Sequence, residues 1–258
     1  MDFLCWASRT QGYYSIAFVR SQNLINPKVG RYNLAVEHST NHSTKWLGLR
    51  EYQEVWMLQQ KFQESVRSYG SSVILGCEHP AVITCGRRSS PMQESMLPIV
   101  QTNRGGLMTV HSPGQLVIYP ICSLRKLKMG VREWVEALLE ITSLSLKKCN
   151  IMFIHKNNGL YTEHGKIASV GIKISKAISL HGVAINVSND LDIFKLIDPC
   201  GHQGQPMDRV QNHNSQISTE LLFRIWCDSF KNLTGSTIVN TNYASSIGSL
   251  GAVGSAFP

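Results

Sequence analysis

The chain lacks any apolar run approaching the roughly 20 residues that a membrane-spanning helix requires. Its longest clean one, Leu116 to Cys122, is the size of a strand, so no membrane role is expected. Charge is sparse: 16% of the 258 residues are charged and 43% are hydrophobic. That balance excludes a disordered chain and supplies one domain with a real core. No CxxC pair and no Cys/His metal spacing occur among the seven cysteines, Cys5, Cys77, Cys85, Cys122, Cys149, Cys200 and Cys227. An odd, scattered set argues against a disulfide framework and a zinc site, and for reduced thiols in a cytosol-like compartment. GxGxxG and Walker motifs are absent, which removes the classical nucleotide folds. So are helix-turn-helix, zinc-finger and aromatic-rich binding motifs. The net charge of +8 points to an acidic partner, whether nucleic acid, anionic membrane or an acidic carrier protein, without choosing among them; the scattered basic residues and the missing motifs count against nucleic acid. Residues 1–44 hold no compact apolar segment with a cleavage site, as a secretory signal would. Their composition suits either a transit-like segment or an upstream start, and they are expected to be a poorly ordered or non-family extension.

Ordered patterning begins at Lys45. Tyr52, Val55, Trp56, Phe62, Val66 and Tyr69 recur at helical spacing, and Gly70 stands where a helix C-cap belongs. Strands are predicted over 72–77, 81–85, 107–111 and 116–121, the last two parted by the turn Ser112-Pro113-Gly114. A second helix places Val131, Trp134, Val135, Leu138 and Thr142 on one face. Four strand-like runs follow, over 151–154, 160–163, 167–174 and 180–187, then a short helix over 191–197 and a longer one over 219–233. The Ser-, Gly- and Ala-rich end, residues 236–258, reads as a flexible tail. Strands in neighbouring runs predict a single α/β domain over 45–235, with a mixed, largely antiparallel sheet and flanking helices.

Four segments could carry chemistry. Arg104-Gly105-Gly106-Leu107-Met108-Thr109-Val110-His111 offers close backbone approach, an anion-binding guanidinium and a histidine; it also suits a plain Gly-Gly bulge before a Pro-Gly turn. Gly165-Lys166-Ile167-Ala168-Ser169-Val170-Gly171 opens an apolar strand with a lysine, which by default is a solvated edge charge. In His181-Gly182-Val183-Ala184-Ile185-Asn186, the small residues Gly182 and Ala184 would leave room for a thin aliphatic chain, or simply pack tightly in a sheet. Asp198-Pro199-Cys200-Gly201 sets a cysteine in a tight bend. A lone cysteine is as often a small buried hydrophobe as a nucleophile, but a nearby lysine would favour its thiolate.

In this order the segments resemble the lipoyl(octanoyl) transferases, with their R-G-G-x-x-T-x-H-G-P-G-Q, G-K-x-A/C-S-x-G, H-G-x-A-x-N and P-C-G blocks. Glu78-His79-Pro80-Ala81-Val82-Ile83-Thr84-Cys85-Gly86-Arg87 is similar to the family's E-H-P-x-V-x-T-x-G-R stretch. The resemblance runs from about Trp46 to about Leu233. It implies a biotin/lipoate protein ligase-like fold and octanoyl transfer from octanoyl-acyl carrier protein to a lysine of a lipoyl domain, in 2-oxoacid dehydrogenase and glycine cleavage complexes. Cys200 would bear the acyl group and Lys166 would lower its pKa. Residues Arg104, Gly105, Gly106, Leu107, Met108, Thr109, Val110, His111, Ser169, Val170, Gly171, Gly182, Val183 and Ala184 would line the acyl site. No metal or other cofactor is implied, and a monomer in a bacterial cytoplasm or mitochondrial matrix is expected. One departure is Ser112, in place of the family glycine after His111; it would be strained if that position needs positive φ. An ATP-dependent lipoate or biotin ligase on the same fold is the rival reading. Such enzymes make an adenylate and need no cysteine, so Cys200 and the Thr109-Val110-His111 block favour the transferase.

Overall fold

Helix α1 (Tyr52–Tyr69) follows from its apolar spacing: Tyr52, Val55, Gln59 and Val66 are its buried residues, and Gly70 ends it in the left-handed conformation with its N–H on Val66 O. The structure, a computed structural model, describes residues 3–10, 13–20, 41–89, 95–197, 205–235 and 237–240. Two units are distinguished, residues 1–35 and 36–258. In the first, β1 (Phe3–Thr10) and β2 (Tyr13–Arg20) pair antiparallel.

The second unit holds two sheets. The strands are β3 (Asn41–Leu49), β4 (Ser72–Glu78), β5 (Val82–Cys85), β6 (Ile99–Gln101), β7 (Met108–His111), β8 (Gln115–Ile121), β9 (Ile154–Lys156), β10 (Gly159–Tyr161), β11 (Lys166–Ser175), β12 (Ile178–Asn186) and β13 (Thr237–Asn240). Eight form one sheet in the order β13-β3-β4-β8-β12-β11-β10-β9, and β6-β5-β7 form a small second one. β13, β3 and β4 run parallel, and every other pairing in the large sheet is antiparallel. The sheet begins at Asn41 and takes in Thr237–Asn240.

Period-two alternation divides the core between the faces. Val73, Leu75 and Cys77 of β4 and Val117, Tyr119 and Ile121 of β8 pack with Val55 and Val66 of α1. On the other face, α2 (Val131–Lys148) and α3 (Thr219–Thr234) pack on each other and on the sheet. Trp134 and Trp226 are fully buried there, and each indole N–H has a partner, Ser179 Oγ at 2.8 Å and Thr142 Oγ1 at 3.1 Å. Gly76 lets Phe223 of α3 lie flat on β4, since a Cβ would come within 2.4 Å of the ring.

Three expectations need correction. The strand expected over 151–154 lies at Ile154–Lys156, because Asn150 (φ 61°) closes α2 and the Ile151 N–H returns to Leu146 O, a Schellman end. Val131 and Tyr69 do not face the core; they sit in the first and last turns of their helices and are exposed. The short helix is a 3-10 turn, Asp192–Leu196. The β11–β12 hairpin turns through Lys176 and Ala177, both at positive φ. Without Asn-Gly at these positions the turn gave no sequence signal.

Gly182 permits the closest approach in the large sheet: a Cβ there would sit 2.0 Å from Ile118 O of β8. Gly182→Ala should therefore destabilise the protein by about 3 kcal/mol, seen as a lower urea midpoint at unchanged slope.

Candidate active site

On the α1 side of the large sheet lies a cavity of about 520 Å³. Its walls contain most of the nominated residues: 104–109 and His111 on one side, Lys166 and 169–171 from β11, and 182–184 from β12. Val110 is an exception. Alternation along β7 turns Thr109 and His111 to the cavity and buries Val110 against Ile83, Cys85 and Phe194. Gly182 contributes only backbone, because the side its Cβ would occupy is filled by β8; it does not reserve room for a chain. Cys200 lies outside the described residues, within 198–204. The residues that flank this stretch, Phe194 on one side and Gln205 and Met207 on the other, line the cavity.

Lys166 is not a solvated edge charge. β10 pairs on one side of it, a parallel bridge joins it to Met207, and the residue is 9% exposed. Its side chain passes over Gly159, where a Cβ would stand 2.8 Å from Lys166 Cε. The ammonium lies 5.7 Å from the centre of the Tyr161 ring, on whose face a cation is attracted.

Arg104 is buried, and its guanidinium donates to Thr84 O (2.6 Å), Thr84 Oγ1 (3.0 Å) and Gly105 O (3.2 Å). Gly86 leaves space for it, since a Cβ there would meet the Arg104 nitrogen at 2.9 Å. A directed chain of hydrogen bonds starts at this arginine. Thr84 Oγ1 stands 3.5 Å from His111 Nε2, and His111 Nδ1 donates to Gln115 Oε1 at 2.6 Å. Gln115 Nε2 donates to Asn186 Oδ1 at 2.9 Å, and Asn186 Nδ2 to the Asp208 carbonyl at 3.0 Å. Each acceptor fixes the tautomer or amide orientation of the next group.

A second polar group lies under α1. His79 Nδ1 donates to Arg50 O (2.7 Å), so its Nε2 accepts from the Tyr119 hydroxyl (2.7 Å). His181 has φ 57° in mid-strand; its N–H is taken by buried Gln59 Oε1 (2.8 Å) and its Nε2 donates to Asn103 Oδ1 (2.9 Å). The Tyr52 ring stacks on His111, with centroids 5.8 Å apart. Burial holds His79 down to about 4, and His111 and His181 to about 3; the Arg104 charge lowers the last two further. Burial also pushes the Tyr52 hydroxyl up to about 12. Above pH 5 these groups are neutral donors and acceptors, suited to orienting a polar carbonyl and not to carrying charge.

Ser112 has no strain: it starts a turn in which Gly114 carries the positive φ (87°) and Gln115 N bonds back to Ser112 O. The cost of the serine lies in its hydroxyl, buried with no hydrogen-bond partner among the described residues. Glu78 holds the same turn from below, accepting from Gly114 N (2.6 Å) and the Thr219 hydroxyl (2.5 Å).

Sequence reasoning missed Tyr52, Tyr119, Gln115, Asn186 and Asp208. The two tyrosines sit at positions whose period reads as core. Gln115 and Asn186 stand inside motif blocks, and that is the only signal that could have found them. Gly105 has its N–H committed to Ile172 O (2.9 Å).

Two outcomes are expected. A histidine neutral when folded takes up its proton on unfolding, so stability falls as pH drops from 6.5 toward the folded values. His42 is also lowered by burial, to about 4. With His79, His111 and His181, each contributes about 1.4 kcal/mol per pH unit in that window. The melting temperature should drop steeply between pH 6.5 and 5, and less steeply in His42→Gln. Ser112→Ala should gain about 1 kcal/mol by removing an unsatisfied hydroxyl, read as a melting temperature higher by about 2–4 °C.

Residues 51–231 match the model of the lipoyl protein ligase A/B catalytic domain. The octanoyltransferase of Xanthomonas axonopodis pv. citri is 37% identical over 169 residues, covering 64% of this chain and 73% of that one. That of Saccharophagus degradans is 39% identical over 171 residues, covering 64% and 79%. Among solved structures, a putative lipoate protein ligase from T. acidophilum with bound lipoic acid superposes with a TM-score of 0.62 at 14% identity, over 78% of this chain and 89% of that one. A lipoate-protein ligase A bound with ATP gives 0.59, also at 14%, over 79% and 89%. The mixed sheet, its flanking helices and these matches agree: the chain belongs to the lipoyl protein ligase A/B catalytic-domain family, with the octanoyltransferases as its relatives, and is an acyltransferase.

Proposed function

We propose that the chain transfers an octanoyl group from octanoyl-acyl carrier protein to the acceptor lysine of a lipoyl domain, through a thioester on Cys200. The catalytic domain on this reading is residues 45–235, acting as a monomer in a bacterial cytoplasm or mitochondrial matrix. The observation that carries it is Lys166: a buried cation on the wall of a cavity that residues on both sides of the Cys200 segment also line. The relatives named octanoyltransferase support the acyl group. A fold relative from Thermoplasma acidophilum, a bi-partite lipoate protein ligase studied with its E2 lipoyl domain, supports the acceptor class. Net charge of +8 suits acidic carriers and speeds encounter with them.

The thiolate of Cys200 attacks the donor thioester; the new C–S bond forms as the old one breaks, and Lys166 gives its proton to the departing thiol. The acceptor amine then attacks the Cys200 thioester, its proton passes to neutral Lys166, and the Cys200 thiolate leaves. Backbone N–H groups stabilise the oxyanion; Gly106 is the candidate in its loop, since Gly105 is committed. Burying the six methylenes of an octanoyl chain contributes about 5 kcal/mol to its binding. Leu107, Met108, Val183 and Phe194 offer apolar wall for it. Four other thiols are poor competitors: burial raises Cys77, Cys122, Cys149 and Cys227 above the ordinary thiol value. An ATP-dependent ligase is the alternative, and it needs no cysteine.

Incubation with octanoyl-acyl carrier protein should add one octanoyl group to Cys200 in an intact-mass spectrum, and hydroxylamine should remove it. Cys200→Ser should lose transfer at unchanged melting temperature. Turnover that requires ATP and free octanoate, without an adduct, would make the protein a ligase.

A further inference from the structure

The turn before Lys166 carries a polar cluster that the transfer scheme leaves unused. Asp208 is fully buried. Its carboxylate accepts from the Thr162 hydroxyl, from His213 Nε2 (2.5 Å), from Asn212 Nδ2 (2.7 Å) and from the Arg209 N–H (2.8 Å). Burial alone would raise this carboxyl; the bonds from Thr162, His213, Asn212 and Arg209 outweigh it and hold the group below its ordinary value. All four partners donate, so a carboxylate satisfies them and an amide of the same shape does not.

The main chain of Asp208 makes a second set of contacts. Its N–H donates to Lys166 O (3.0 Å), while the Lys166 N–H donates to Pro206 O (2.9 Å). Thr162 closes the turn into Lys166 through its N–H on Gly165 O (2.9 Å). Gly165 (φ 152°) admits this contact, because a Cβ there would lie 2.5 Å from the Pro206 backbone. Asp208 thus grips the turn into Lys166 by its side chain and Lys166 itself by its backbone. The gripped stretch, Pro206 to Asp208, meets Lys166 through a single parallel bridge at Met207.

We propose that Asp208, held by Thr162 and His213, is a positioning residue that fixes where Lys166 stands on the cavity wall. The inference rests on the reading of Cys200 and Lys166 as the reacting pair. The influence of an ammonium on a thiol falls with separation, and proton transfer demands hydrogen-bond reach. A clamp on the lysine backbone therefore controls how much thiolate forms, beyond any effect on folding.

The test is the pH dependence of Cys200 alkylation by iodoacetamide in the full chain, followed on the Cys200 peptide by mass spectrometry, with melting temperatures alongside. Lys166→Ala should move the midpoint up toward the roughly 8.5 of a free cysteine. Thr162→Val, which keeps the shape and removes the hydroxyl, should move it part of the way, and Thr162→Ser should restore the wild-type midpoint. A lower melting temperature in Thr162→Val with an unmoved midpoint would mean a structural clamp only and overturn the inference. So would a serine variant that shifts as far as the valine. If Lys166→Ala itself leaves the midpoint in place, the reading of the pair fails and the inference with it. Should Thr162→Val not fold, His213→Ala, at a side chain 20% exposed, carries the same expectation.

Discussion

The site depends on one directed run of buried hydrogen bonds, from the Arg104 guanidinium through Thr84, His111, Gln115 and Asn186 to the backbone of Asp208 beside Lys166. Each group donates onward and accepts from behind, so no member can be exchanged for an apolar residue without stranding two neighbours. In a low-dielectric interior such a network is worth keeping only when complete. It ties the arginine loop, the lysine strand and the asparagine of β12 into one rigid wall. Sequence blocks more than 80 residues apart meet there.

Neutrality is the condition for that wall. His111 must keep Nε2 unprotonated to face Thr84, and His79 must do so to accept from Tyr119. Burial enforces this and removes the histidines from acid–base work near neutral pH. What remains to move protons in the proposed chemistry is Lys166 with its thiol partner.

Close backbone approach supplies the geometry. Gly182 brings β12 against β8, Gly165 brings Lys166 against Pro206, and Gly159 opens a channel for the lysine side chain. His181 bears the opposite cost, a left-handed residue within a strand, and Gln59 of α1 captures the N–H it displaces. That contact anchors the helix to the kink and holds Asn103, next to Arg104, through the imidazole.

The amino-acid order by itself determined the helices and most strands, because apolar spacing and the stop at Gly70 are local signals. It also determined the antiparallel, mixed class of the sheet and the nomination of the cavity residues, since the motif blocks keep their residue types and spacing. Only the tertiary structure decided which way those residues face: Val110 into the core, Gly182 toward β8, Lys166 away from water. It alone decided that Tyr52 and Tyr119 line the cavity, that Gln59 and Asp208 bond the backbone of His181 and Lys166, and that Ser112 costs a hydroxyl and not a dihedral. The reason is physical. Periodicity reports whether a residue is buried, whereas its partner once buried is set by strands and loops distant in sequence, and a hydrogen bond across 40 to 140 residues leaves no mark in either segment alone.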